Sequence, residues 1–170
     1  MIGHVGRMSY QKNHKFLIEI FKALQEKCSD TILLLIGVGE KEEEIRKLVS
    51  DLNITEKVRF LGNRNDVNEL YQAMDAFILP SFFEGIPVVG IEAQFAGLPC
   101  IFSDKVPREV AFTDRCEFLP LEQGADYWAD TIMKTKELSY NRVIDKYMCD
   151  MRYDIEQSYK ILEQLYLDLV

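Results

Sequence analysis

Histidine is almost missing from these 170 residues: His4 and His14 are the only two, ten positions apart. That scarcity excludes a metal centre built on imidazoles, and strand-packing or surface roles are expected for both. Cysteine is sparse as well. Cys28, Cys100, Cys116 and Cys149 are widely spaced, with no Cys-x-x-Cys pair. This points to free thiols in a reducing, cytoplasmic setting over a disulfide framework, with Cys28 and Cys100 as core thiols. No apolar run approaches the ~20 residues that span a bilayer, and MIGHVGRM at the start lacks the apolar stretch of a signal peptide. Positive charge is in deficit, 20 basic against 28 acidic residues for a net charge of −8. Nucleic acid is thereby excluded as the main partner, because its binding rests on neutralised phosphates. A smaller anion stays compatible wherever cations cluster. There is no internal repeat, linker or low-complexity segment, and a hydrophobic content of 48% excludes disorder. One domain over residues 1–170 is expected.

What is present alternates. Ile2–Gly6 reads as a strand with Arg7–Lys12 as its exit loop. Asn13 is placed to cap a helix carrying Phe16, Leu17, Ile20, Phe21 and Leu24 at helical spacing. Thr31–Ile36 is a continuous apolar run, as in a strand buried on both faces. Gly37-Val38-Gly39 ends it before a surface helix over Glu40–Leu52. Val58–Leu61, Ala76–Leu79, Pro99–Phe102 and Glu117–Leu119 give further strands. Asp66 is placed to cap a short helix through Tyr71 and Met74. A helix beginning at Pro87, a favoured first position, is stopped by Gly97 and Pro99. From Gly124 the chain reads as helices, the last over Tyr153–Leu169, with Ile155, Tyr159, Leu162, Leu165, Tyr166 and Leu169 along one broad face, either helix core or an apolar face with no partner in this chain. The alternation predicts an α/β fold, a Rossmann-like, doubly wound parallel sheet of about six strands with helices on both faces and a helical C-terminus. Ligands of such sheets bind beyond the carboxyl ends of the strands.

At that edge stand the residues able to do chemistry. Arg7 and Lys12 share one exit loop, where a guanidinium and an ammonium suit a diphosphate; the alternative is two solvated surface cations. Gly37-Val38-Gly39 is either a plain turn or a close backbone approach to a ligand. The stretch EGIPVVGIEAQFAGLPCI sets Glu84 and Glu92 either side of seven apolar or small residues. Buried carboxylates need polar partners, and a pair so placed suits a ligand rich in hydroxyls. Glu84 could instead cap the following helix, and Glu92 could pair with a basic side chain. The free N–H groups at the start of that helix favour an anion.

Together, Val5-Gly6-Arg7 with Gln11-Lys12-Asn13, Ile36-Gly37-Val38-Gly39-Glu40, Val58-Arg59-Phe60-Leu61-Gly62, and Ser81-Phe82-Phe83-Glu84-Gly85 running to Pro99-Cys100-Ile101 resemble the C-terminal, donor-binding half of a retaining glycosyltransferase of the GT-B fold, family 4. The wording from Glu84 to Ile101 is most similar to capsular and exopolysaccharide enzymes. The resemblance implies binding of a UDP- or GDP-linked sugar, with no separate cofactor and no metal, in keeping with the lack of an Asp-x-Asp motif. It implies that Arg7 and Lys12 hold the pyrophosphate, that Glu84 grips the donor sugar and that Glu92 takes the ribose. Gly6, Gly39 and Gly85 with the backbone of Ile86, Pro87 and Val88 line the donor, and Arg64 falls near the base. It also implies an N-terminal acceptor domain absent from this chain and, as acceptor, a lipid-linked glycan at the inner membrane face. Ile86-Pro87-Val88 stands where many members carry Phe-Gly-Leu, which removes a glycine beside the sugar. A non-catalytic nucleotide-sugar-binding module and a nucleotide-sugar epimerase are the alternatives.

Overall fold

The computed structural model describes residues 1–139 and 155–168. Six strands form one parallel sheet: β1 (Ile2–Val5), β2 (Leu33–Ile36), β3 (Val58–Gly62), β4 (Ala76–Leu79), β5 (Cys100–Ser103) and β6 (Cys116–Leu119). Their order is β3-β2-β1-β4-β5-β6. The chain winds outward from β1 in one direction and from β4 in the other. The edge between those two strands is therefore where a crevice opens. All four residues of β1, β2, β4 and β5 are buried, as expected of strands covered on both sides.

The covering helices split into two layers. On one face α1 (His14–Lys27), α2 (Glu42–Asp51) and α5 (Gly124–Ser139) close over Ile2, Leu33, Leu35, Ile78 and Ile101. Trp128 of α5 is fully buried there, edge-on to Phe16, and donates its indole N–H to the Pro120 carbonyl at 3.0 Å. On the other face α3 (Val67–Gln72) and α4 (Val88–Phe95) pack on Val5, Leu34, Phe77, Leu79 and Phe102. Each fully buried side chain of this kind contributes about 1.5–3 kcal/mol relative to exposure. The three described cysteines, Cys28, Cys100 and Cys116, are free thiols, and Cys149 lies outside the described residues. Among the described residues no helix is long and apolar enough to cross a membrane.

Several local expectations are corrected. Asn13 precedes α1 but sits in the left-handed region at φ 52° and makes no side-chain cap bond. Asp66 precedes α3, yet its carboxylate turns to Arg64 instead of the helix. Pro87 is the residue before the first turn of α4, not the first within it. At Gly37 and Gly39 the chain's own backbone approaches closely. A Cβ at Gly37, where φ is +123°, would lie 2.2 Å from the Gly6 carbonyl oxygen, and one at Gly39 would lie 2.4 Å from that of Met8. The last helix, α6 (Ile155–Leu167), leaves Tyr159, Leu162, Leu165 and Tyr166 exposed instead of in a core. Tyr153 and Leu169 lie outside the described residues.

Candidate functional site at the carboxyl edge of the sheet

Two exit loops, one after β1 and one after β4, are laced together across the switch point. The Phe82 N–H donates to the Gln11 carbonyl at 2.9 Å, and the Tyr10 and Phe82 rings stack with centroids 4.8 Å apart. The bond at the centre is between Lys12 and Glu84, 2.6 Å from Nζ to Oε1. Their side chains are only 14% and 6% exposed, so the pair is sheltered from water. Ser81 donates its hydroxyl to the same carboxylate at 2.7 Å and Gln11 its amide to Oε2 at 3.0 Å. Glu84 therefore does not cap α4, since its oxygens turn toward the loop after β1. Lys12 reaches it by lying across Gly6, where a Cβ would stand 3.2 Å from the Lys12 Cε.

Arg7 leaves the same loop and takes a different carboxylate from Lys12. It is exposed and paired with Glu40 at 3.2 Å. The Glu40 carboxyl is held below the usual range by its own backbone amide and by that guanidinium. Such an exposed pair is worth little and turns readily to another anion. Glu92, on α4, accepts the Tyr71 hydroxyl at 3.1 Å, a neutral partner instead of the basic one considered above. Burial, with the Glu92 carboxylate beside it, pushes the Tyr71 hydroxyl well above its ordinary value. Gly85, Ile86 and Val88 are exposed at the mouth, Pro87 is buried, and the first N–H groups of α4 lack intrahelical acceptors by the geometry of any helix start. Arg64 is exposed and paired with Asp66 at 2.8 Å.

Beneath Lys12 lie the two histidines. His4 is fully buried with Nδ1 2.8 Å from the Ile78 carbonyl, and His14 meets it edge-on at 4.6 Å. Burial lowers both, to about 4 for His14, and the Lys12 ammonium pushes the same way. Both rings are thus neutral at ordinary pH. The sequence singled out Arg7, Lys12, Glu84 and Glu92 but not the polar neighbours Gln11, Ser81 and Tyr71. The only available signal for Gln11 and Ser81 was their place within the two matched motifs.

A doubly wound parallel sheet with its polar cluster at the switch point is of the Rossmann-like α/β class. Residues 1–137 match the family described as glycosyl transferases group 1, and the chain belongs to that family. It is 34% identical over 169 residues to the putative glycosyltransferase EpsF of Bacillus subtilis (strain 168), covering 98% of this chain and 44% of that protein. It is 37% identical over 103 residues to the UDP-Gal:alpha-D-GlcNAc-diphosphoundecaprenol alpha-1,3-galactosyltransferase of Escherichia coli, covering 59% of this chain and 27% of that one. Anabaena Alr3699/HepE, solved in complex with UDP, shares the fold with a TM-score of 0.77 at 21% identity, over 97% of this chain and 48% of its own. The chain thus spans less than half the length of each of these relatives.

Proposed function

We propose that this chain binds the nucleotide-diphosphate sugar of a retaining glycosyltransferase and stabilises the departing nucleotide diphosphate in the making of capsular, exo- or lipopolysaccharide. The observation that carries this is the sheltered Lys12–Glu84 pair at the switch point, with Arg7 on the same loop. In the transfer, an acceptor hydroxyl oxygen bonds to the anomeric carbon on the face that the diphosphate leaves. The carbon–oxygen bond to the phosphate breaks with its electron pair remaining on the phosphate oxygen, which also receives the hydroxyl proton. Negative charge develops on the diphosphate, and Arg7 and Lys12 meet it; fixed cations at such a point are a leading catalytic term. Because these side chains supply the positive charge, the reading assigns no role to a divalent metal or separate cofactor.

Glu84 then accepts hydrogen bonds from the donor sugar and Glu92 from the ribose, Gly85 keeps a side chain off the donor's path, and Gly6 and Gly39 present backbone to it. The backbone N–H groups of Ile86, Val88 and Val89 face the phosphates or sugar, and Arg64 turns from Asp66 toward the base. UDP is the first candidate nucleotide, since one relative is named for UDP-Gal and HepE is solved with UDP. The lipid-diphosphate in that relative's name supports a lipid-linked acceptor at the inner membrane face, held by a second, acceptor-binding domain, with the protein itself cytoplasmic. Titration calorimetry tests the reading. UDP should bind more tightly than uridine, and Arg7→Ala should remove most of the difference, charge-assisted contacts being worth about 1.5–3 kcal/mol each. Equal affinity for nucleoside and diphosphate, repeated with guanosine and GDP, would sink it.

A further inference from the structure

The bonds around Glu84 pose a problem that the proposed function does not solve. Lys12 cannot give its full charge to a diphosphate while it neutralises Glu84 at 2.6 Å. When the ammonium turns to the phosphate, a carboxylate only 6% exposed loses its charged partner. A carboxylate so placed either reorients or is held by other donors. Two neutral donors are already in place. The Ser81 hydroxyl, fully buried, spends its single proton on Glu84 Oε1 at 2.7 Å. The Gln11 amide spends its two protons on Glu84 Oε2 and on the Phe83 carbonyl, each at 3.0 Å.

Both donors are themselves fixed. The Gln11 carbonyl accepts the Phe82 N–H at 2.9 Å, and the Ser81 carbonyl accepts the Ser103 hydroxyl at 2.5 Å. We infer that Gln11 and Ser81 are positioning residues that hold the Glu84 carboxylate aimed at the donor sugar once Lys12 has moved to the diphosphate. Being neutral, they orient the carboxylate without cancelling its charge, so lone pairs on both oxygens stay open to sugar hydroxyls. Lys12 thus exchanges one anion for another on binding, and the sugar-reading group keeps its geometry through the exchange. The selectivity of the site for a nucleotide sugar over the bare diphosphate then depends, besides Glu84 itself, on two side chains that touch neither ligand.

This inference rests on the donor-binding reading, and one experiment separates their failures. A panel of UDP-, GDP- and ADP-sugars is titrated against the full chain, and the tightest ligand is compared with its own nucleoside diphosphate. If the wild-type chain binds no sugar nucleotide and no diphosphate, the donor-binding reading falls and this inference with it. If it binds them, Gln11→Ala and Ser81→Ala should each weaken the nucleotide sugar about tenfold and the diphosphate, which also draws Lys12 from Glu84, only about twofold to threefold. Gln11→Glu, which sets a second carboxylate against Glu84, should weaken the sugar further than Gln11→Ala does. Thermal melting identifies any variant that fails to fold, and Gln11→Met, which keeps the side chain's bulk and lacks its donors, then takes the place of Gln11→Ala. Equal loss for both ligands, or no loss for the sugar, would overturn the inference and leave the donor-binding reading standing.

Discussion

His14 sits in an environment that opposes its charged form. Its ring is 3% exposed, and neither of its nitrogens has a hydrogen-bond partner. Burial and the nearby Lys12 charge hold it neutral, with a folded value of about 4 against 6.5 for the free side chain. Between those two values the unfolded chain binds a proton that the folded chain refuses. Stability is therefore fully present above pH 6.5 and falls as pH drops toward 4. For His14 alone the loss is about 1 kcal/mol between pH 7 and pH 5.5, and His4, shifted the same way, adds to it. Denaturant titrations at the two pH values should show this slope, and His14→Met should flatten it. An unchanged slope in that variant would place the pH dependence elsewhere.

Among the loops, Gly37 and Gly85 both follow a strand's end and differ in what a side chain there would meet. A Cβ at Gly37 would collide with the Gly6 carbonyl in a backbone conformation that L residues avoid, whereas nothing lies within 4 Å of one at Gly85. Gly37→Ala should cost about 2–4 kcal/mol, and Gly85→Ala should stay within about 0.5 kcal/mol. Chemical denaturation of the two variants compares them directly, and similar costs would refute the account. The same contrast explains what the sequence could show about the elements. Continuous apolar runs such as Leu33–Ile36 and Ala76–Leu79 gave the strands away because both faces are covered. The helix starts misled because Asn13 and Asp66 are cap-forming types whose side chains do not cap here. Glu84 and Glu92 were visible through their spacing. Gln11 lies 73 positions from Glu84, and Tyr71 is 21 positions from Glu92 on another helix, so only the fold joins them.

For the whole molecule, the decisive feature is that the polar cluster lies at the carboxyl edge of the sheet, at the switch point between β1 and β4. The loops after β1 and β4 present Tyr10, Phe83 and Ile86 to solvent, the start of α4 presents Val88, and α6 exposes Tyr159, Leu162, Leu165 and Tyr166. A glycosyl transfer needs a second substrate placed within bonding distance of the anomeric carbon and water kept away. Orienting two reactants accounts for about 7–11 kcal/mol of barrier in favourable cases. The described residues at this edge account for a donor's charge and hydroxyls, while the relatives that transfer sugars by name are more than twice as long. From the proposed function it follows that these 170 residues bind donor yet transfer sugar at least ~10⁴-fold more slowly than a protein that also carries the acceptor-binding part. Radiolabelled donor, a lipid-linked acceptor and excess chelator in one assay measure both the rate and its independence from metal. Transfer by the 170-residue chain at rates near those of the longer protein would mean that the acceptor is placed by residues within this chain, and that the exposed loops around Glu84 are where it sits.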